Sequence, residues 1–174
     1  MESLNAPSAA CEVNLQVWDT PGQEVYRSLV KLYYRNVQGV VLVVSLDDTA
    51  DGLAKQLGSL DYWLEQMSQT IASEQNLAFI LIANKADTLL TQSEKGRFEH
   101  EAVIKQWCES KASAFGSRIP YYRASARTGS GVDEAFQGLC RQILLNLATQ
   151  QERISESTCC SCSQSRGSRL RSQF

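Results

Sequence analysis

Val13, Leu15 and Val17 alternate with Asn14 and Gln16 and lead into Trp18, a period of two that predicts a half-buried strand. Asp19-Thr20-Pro21-Gly22 then breaks the pattern with turn chemistry. Two later runs, Val37 to Val44 and Phe79 to Ala83, do not alternate at all. They are short, uninterrupted and rich in β-branched side chains, which suits strands covered on both faces of a parallel sheet. Ile119 to Tyr122 is a shorter fourth strand candidate. Between these runs the apolar spacing changes to three and four. Leu57, Leu60, Leu64, Met67 and Ile71 follow it, as do Val103, Ile104, Trp107 and Cys108. Val132, Phe136, Leu139, Cys140, Ile143, Leu144 and Leu147 carry it over a longer segment. Strands alternating with helices predict an α/β fold with a mostly parallel sheet and right-handed crossovers. From Gln150 onward the periodicity stops and Ser, Gln, Arg and Cys dominate. The expected organisation is an unstructured N-terminus (1–11), one folded domain (12–149) and a disordered tail (150–174).

Open α/β sheets gather ligands at the carboxyl ends of their strands, so the polar residues that follow each strand are the place to look for chemistry. They are Asp19 to Glu24, then Asp47-Asp48, then Asn84-Lys85-Ala86-Asp87, then Ser125-Ala126-Arg127. All four groups are expected along one edge of the sheet. The Asp87 carboxylate can accept two parallel hydrogen bonds, and guanine offers two adjacent donors, its ring N–H and its exocyclic amine, where adenine does not. A site built on such bonds discriminates strongly against a ligand lacking the partner groups. Lys85 can lay its methylene stem along a base or ribose face, and Asn84 can bond the ring or tie neighbouring loops together. Ser125-Ala126-Arg127 can turn a backbone N–H toward a base carbonyl. Asp19 stands where an acidic residue would hold Mg2+, directly or through water. Gly22 allows close approach to a terminal phosphate, and Gln23 can orient an attacking water. Each group also has a plainer use: Asn84, Asp87 and Ser125 as turn or helix caps, and Asp19 to Gly22 as a β-turn.

Charge and composition narrow the classes. The 174 residues carry 17 basic and 19 acidic side chains, a net charge of −2, so bulk charge gives no reason to expect nucleic acid as a partner. Three of the basic residues, Arg166, Arg169 and Arg171, fall in the last eighteen positions, which hold no acid. The longest apolar runs are far short of the roughly 20 residues that span a bilayer. The first ten residues lack the basic start and apolar stretch of a secretory signal, so the six cysteines are expected in a reducing compartment, the cytoplasm. Cys11, Cys108 and Cys140 fall within apolar patterns and are expected as buried thiols. His100, the single histidine, is expected on a helix surface.

As an ordered set, these segments resemble the Rab branch of the Ras-like small GTPases. Leu15 to Glu24 (LQVWDTPGQE) looks like the third guanine-nucleotide motif of that family, and Tyr26 to Leu29 with Tyr33-Tyr34-Arg35 continues it in Rab style. Asn84-Lys85-Ala86-Asp87 matches the base-specificity motif. Ser125-Ala126-Arg127 matches the last one, with Arg in place of the usual Lys, and Thr128 to Phe136 is also typical. The resemblance covers about residues 12–148. It implies a three-layer P-loop GTPase-like α/β fold and GTP/GDP binding with Mg2+ through Asp19. Gly22, Asn84, Lys85, Asp87, Ser125, Ala126 and Arg127 would meet the nucleotide and Gln23 would position the hydrolytic water. Trafficking effectors would meet the aromatics Trp18 and Tyr33, or these pack between the switch segments.

Two departures qualify what the resemblance implies. No G-x-x-x-x-G-K-[ST] stretch occurs in the sequence, and the switch I Thr has no counterpart. The expectation is therefore an N-terminally truncated domain in which the first strand and first helix are missing and binding and hydrolysis are impaired or absent. The alternative is a non-catalytic interaction module for trafficking effectors or regulators. A vacant place in the sheet predicts an unpaired edge and a chain that is monomeric or weakly self-associating. In the tail, twelve residues follow Cys162, so no standard prenylation box ends the chain. Cys159, Cys160 and Cys162 are candidate lipidation sites that, with the arginines, would give peripheral contact with intracellular membranes; an unmodified tail is the other reading.

Overall fold

The computed structural model describes residues 12–20, 37–47, 49–70, 77–91, 94–111 and 119–164. Its elements in chain order are β1 (Gly39–Ser45), α1 (Ala50–Thr70), β2 (Ala78–Asn84), a 3-10 helix (Ala86–Thr91), α2 (Glu94–Ser110), β3 (Tyr121–Arg123) and α3 (Val132–Gln164). The strands form one parallel sheet in the order β1-β2-β3, with Leu42 opposite Leu81 and Leu81 opposite Tyr121.

The central strand explains the layering. β2 reads Ala-Phe-Ile-Leu-Ile-Ala-Asn, and successive side chains point to opposite faces. Leu81 and Ala83 join Leu42 and Val44 of β1 against Leu53, Leu57 and Leu64 of α1 and Ile104, Trp107 and Cys108 of α2. Ala78, Ile80 and Ile82 point the other way and join Ala135 and Leu139 of α3. With both faces covered, the strand has no polar position until Asn84, which is why its run is unbroken. The result is the α/β architecture expected from the alternating pattern, with the three layers that the resemblance implies.

Helix α1 starts where the Thr49 hydroxyl accepts the Gly52 N–H at 3.1 Å, an N-cap bond that satisfies one orphan donor of the first turn. It is tied to α2 by Asp61, which accepts the Trp107 indole N–H at 2.9 Å and pairs with Lys111 at 2.8 Å. His100 is buried on α2, not on its surface as its polarity suggested. The helix inserts it among the inward positions shared with Ile104 and Trp107, four and seven residues on and so on the same face.

Two further sequence expectations differ from the structure. Residues 12–20 are without regular secondary structure, so the alternating Val13, Leu15 and Val17 do not form the expected strand. Alternation specifies a strand only when a neighbour supplies hydrogen bonds, and the sheet joins β1, β2 and β3 alone among the described residues. Helix α3 continues to Gln164, past the boundary at 149. Nothing from Gln150 to Gln164 is Gly or Pro, so the backbone can keep its helical bonds after apolar periodicity ends. Of the cysteines expected in the core, Cys108 is fully buried and Cys140 partly so, while Cys11 lies outside the described residues.

Candidate functional site

The ladder hydrogen bonds run on past the strand ends and fix the loops beyond them. Leu46 N–H donates to the Asn84 carbonyl at 2.9 Å, joining the turn after β1 to the end of β2. Ala124 N–H donates to the Ala83 carbonyl and Ala86 N–H to the Ala124 carbonyl, both at 3.0 Å, which binds the loop after β2 to the loop after β3. Three of the four expected polar groups therefore lie side by side at the carboxyl end of the sheet.

Asn84 is the hub. Its side-chain oxygen accepts the N–H of Lys85 at 2.8 Å and the N–H of Ala126 at 3.0 Å. Both partners are donors, so the amide is oriented with its oxygen toward the loops and its NH2 group is left as the donor for a ligand. The bond to Lys85 accompanies a left-handed backbone, φ 62°, at that residue. Non-glycine residues adopt this conformation rarely, and when they do it often marks a ligand site. The resulting turn sends the Lys85 side chain across to β1, where its ammonium pairs with Asp47 at 2.5 Å. Asp47 also accepts the Ser45 hydroxyl. These contacts, Lys85 first and Ser45 second, hold the Asp47 carboxyl below its usual range.

Asp87 opens the 3-10 helix and is only 19% exposed at its side chain. One of its oxygens accepts the hydroxyl of the buried Ser125 at 2.6 Å; the other faces the guanidinium of Arg127 at 3.8 Å. Ser125 is held in turn by its own loop: its N–H donates to the Ser130 carbonyl, and its carbonyl accepts the N–H of Thr128 and Gly129. The carboxylate is thus held between a buried hydroxyl and an exposed guanidinium.

Asn84, Lys85, Asp87, Ser125, Ala126 and Arg127 are brought together as the sequence suggested, with one correction. The Ala126 N–H, a candidate donor to a base carbonyl, is turned onto Asn84 instead, because the two loops close on each other through that bond. The capping role and the ligand role of Asn84 are therefore both open to one side chain, one through each end of its amide. Trp18 and Asp19 are exposed on residues 12–20, outside this network. Gly22, Gln23 and Tyr33 lie outside the described residues, as do the side chains of Cys159, Cys160 and Cys162.

Two residues of the network had no role assigned from sequence. Asp47 was visible only as a polar residue following a strand. Gln56 of α1 was hidden among helix positions; its amide accepts the Ser45 N–H at 2.8 Å and donates to the Ser45 carbonyl at 3.3 Å, fixing the end of β1.

Asp19 is exposed, and among the described residues no group of three His, Cys, Asp or Glu side chains could hold a metal. Octahedral Mg2+ bound through one carboxylate needs further oxygen ligands.

Residues 3–145 match the Ras family. The chain is 34% identical over 134 residues to the Ras-related protein Rab7A of Mesembryanthemum crystallinum, covering 76% of this chain and 58% of that protein. It is 34% identical over 132 residues to the Ras-related protein RABG3f of Arabidopsis thaliana, covering 75% of this chain and 58% of the relative. A Ras-related protein Rab7 of Prunus armeniaca stands at 34% over 134 residues, with 76% and 58% covered. The matched region is thus less than two thirds of each relative's length.

Proposed function

We propose that this chain, which belongs to the Ras family and is Rab-like within it, recognises guanine nucleotides through the Asn84–Asp87–Ser125 pocket and serves intracellular vesicle traffic. Retention and hydrolysis of the nucleotide are impaired or absent in these 174 residues. The observation that supports the base reading is Asp87, one oxygen of which accepts the Ser125 hydroxyl while the other faces the exposed guanidinium of Arg127. For the impairment, the support is that these 174 residues hold no G-x-x-x-x-G-K-[ST], the stretch whose Lys and backbone N–H groups cradle β- and γ-phosphates. Base contacts alone supply a few hydrogen bonds, each worth about 0.5–3 kcal/mol net.

The roles proposed for Gln23 as the water-positioning residue, Gly22 beside the terminal phosphate and Asp19 as a Mg2+ contact rest on resemblance, and each acts only if the phosphates are held. Titration of the purified chain with fluorescent GDP and GTP, with and without Mg2+, tests the reading. Weak, guanine-selective binding indifferent to Mg2+ is expected; tight Mg2+-dependent binding would restore the catalytic reading.

A second reading is a non-catalytic module that binds trafficking effectors or regulators. It is favoured by Trp18, whose indole is 68% exposed. The same titration separates the two, since a module of this kind stays folded and binds no nucleotide. No helix among the described residues is long and apolar enough to cross a membrane. Peripheral membrane contact is proposed through Cys159, Cys160 and Cys162 with the tail arginines. The domain limits at 11 and 149 are proposed to mark the folded unit, with α3 projecting beyond it.

Weak self-association is proposed through β1, which among the described residues is an edge of the sheet and at which Val43 is 53% exposed. An apolar edge strand pairs readily with another chain, and a single lysine blunts it. Sedimentation velocity should show reversible dimers in the wild type at high concentration and a monomer for Val43→Lys. Identical behaviour of the two would assign any association to another surface.

A further inference from the structure

We infer that Asp47 is a positioning residue for the base pocket: it anchors the Lys85 ammonium so that the lysine stem stands as one wall of the guanine slot. The inference rests on the base-binding reading above and extends it to the turn after β1.

A base slot needs a floor that reads donors and acceptors and a side wall that stacks. Asp87 and the Asn84 amide supply the first. The only long apolar stem that leaves the same turn is that of Lys85, which starts from a left-handed backbone between them. A lysine stem has four rotatable bonds and wanders unless its far end is held; immobilising such a side chain costs about 0.5–1.5 kcal/mol at the moment of binding. Here the far end is held before any ligand arrives, by the Asp47 carboxylate in the turn after β1. That carboxylate is itself placed. Ser45 donates its hydroxyl to Asp47, and Gln56 grips the Ser45 backbone from α1 on both its N–H and its carbonyl. A chain of contacts therefore runs from α1 through Ser45 and Asp47 to Lys85, and on through Asn84 to Ala126.

The pair is half-exposed, 50% for the lysine side chain and 42% for the aspartate, so it falls in the class whose strength is modest and salt-dependent. Its effect is correspondingly a tuning of affinity. Removing Asp47 frees the stem and returns the ordering cost to the binding step.

The test is a titration of the folded chain with GDP, followed by amide chemical shifts of residues 84–87 and 125–128, in wild type, Asp47→Ala, Asp47→Glu, Lys85→Met and the double variant Asp47→Ala/Lys85→Met. Asp47→Ala should weaken GDP about threefold to fivefold at low salt, and Asp47→Glu should recover most of it. Lys85→Met keeps an unbranched stem and removes the ammonium, so adding Asp47→Ala to it should change nothing further. The wild-type advantage over Asp47→Ala should fade in 1 M NaCl, where the Debye length is about 3 Å. Equal affinities of wild type and Asp47→Ala, or the same loss in the Lys85→Met background, would overturn the inference while leaving base recognition intact. If wild type shows no guanine-selective shifts at all, the base-binding reading falls first and this one with it.

Discussion

Asp87→Asn should exchange the preferred base, from guanine to xanthine. The carboxylate accepts at both oxygens, which matches the ring N–H and exocyclic amine of guanine. An asparagine accepts at one end and donates at the other. It would take the ring N–H and give its own N–H to the C2 carbonyl that xanthine carries where guanine has its amine. Ser125 can still donate to the asparagine oxygen, so the side chain keeps the support it has now at 2.6 Å. Arg127 is 86% exposed at its side chain and can swing away from the new amide without strain. For GDP the change loses one charge-assisted bond and sets an amine against an amide N–H; for the xanthine analogue it gains the complementary pair. With hydrogen bonds to charged groups worth about 1.5–3 kcal/mol, the preference ratio should move by about 100-fold or more. Calorimetric titration with the guanine and xanthine diphosphates on both proteins measures it. If both nucleotides weaken equally, Asp87 is structural and the pocket is only a loop clamp.

Much of this was legible in the sequence because it follows from local rules. The unbroken apolar run of β2 gave away a strand with two covered faces, and the residues that break the run, Asn84 to Asp87, had to lie at its carboxyl end. The convergence with Ser125 to Arg127 then followed from parallel neighbours. What escaped was decided by partners distant along the chain. The alternation of Val13, Leu15 and Val17 is a sound strand pattern, yet a strand exists only where another edge receives it. The Asp47–Lys85 pair joins residues 38 positions apart. The register of β1 against β2 sets that contact, with Ser45 opposite Asn84, and a list of polar residues after strands cannot rank one above another.

This points to a division of labour at the edge of the sheet. The Ser125–Asp87 and Ala126–Asn84 bonds connect adjacent loops and are needed for the pocket to exist. The Asp47–Lys85 pair and the Gln56 grip on Ser45 come from the β1 turn and α1, beside the strand that is the sheet edge among the described residues. Anything that pairs with that edge, including a second copy, shifts the end of β1 and so reaches the lysine wall before it reaches the carboxylate. Association and base affinity should therefore be coupled through Lys85 and not through Asp87.

Gly131→Ala should be far more damaging than Gly129→Ala, although the two glycines share a backbone conformation. Both have positive φ, 74° and 79°, in the loop that carries Ser125 to α3. An L-alanine there costs about 1–2 kcal/mol from its own Cβ. At Gly129 nothing lies within 4 Å of the added carbon, so that cost is the whole effect. At Gly131 the carbon would stand 2.2 Å from the carbonyl oxygen of Arg123 and 3.3 Å from the Ala124 Cα. Those are backbone atoms, and Ala124 is pinned by its N–H to Ala83 and by its carbonyl to Ala86. The clash can be relieved only by moving β3 or the first turn of α3, which stops bonding from the Ala135 N–H to the Gly131 carbonyl. A loss of about 3 kcal/mol or more is expected, at the upper end for single substitutions. Urea denaturation followed by circular dichroism would measure it for both variants. Whatever fraction of Gly131→Ala remains folded should also show altered amide shifts at Ser125 to Arg127, because relief of the clash passes through Ala124. Equal costs for the two variants would mean that α3 does not approach β3 as closely as the Gly131 contact requires.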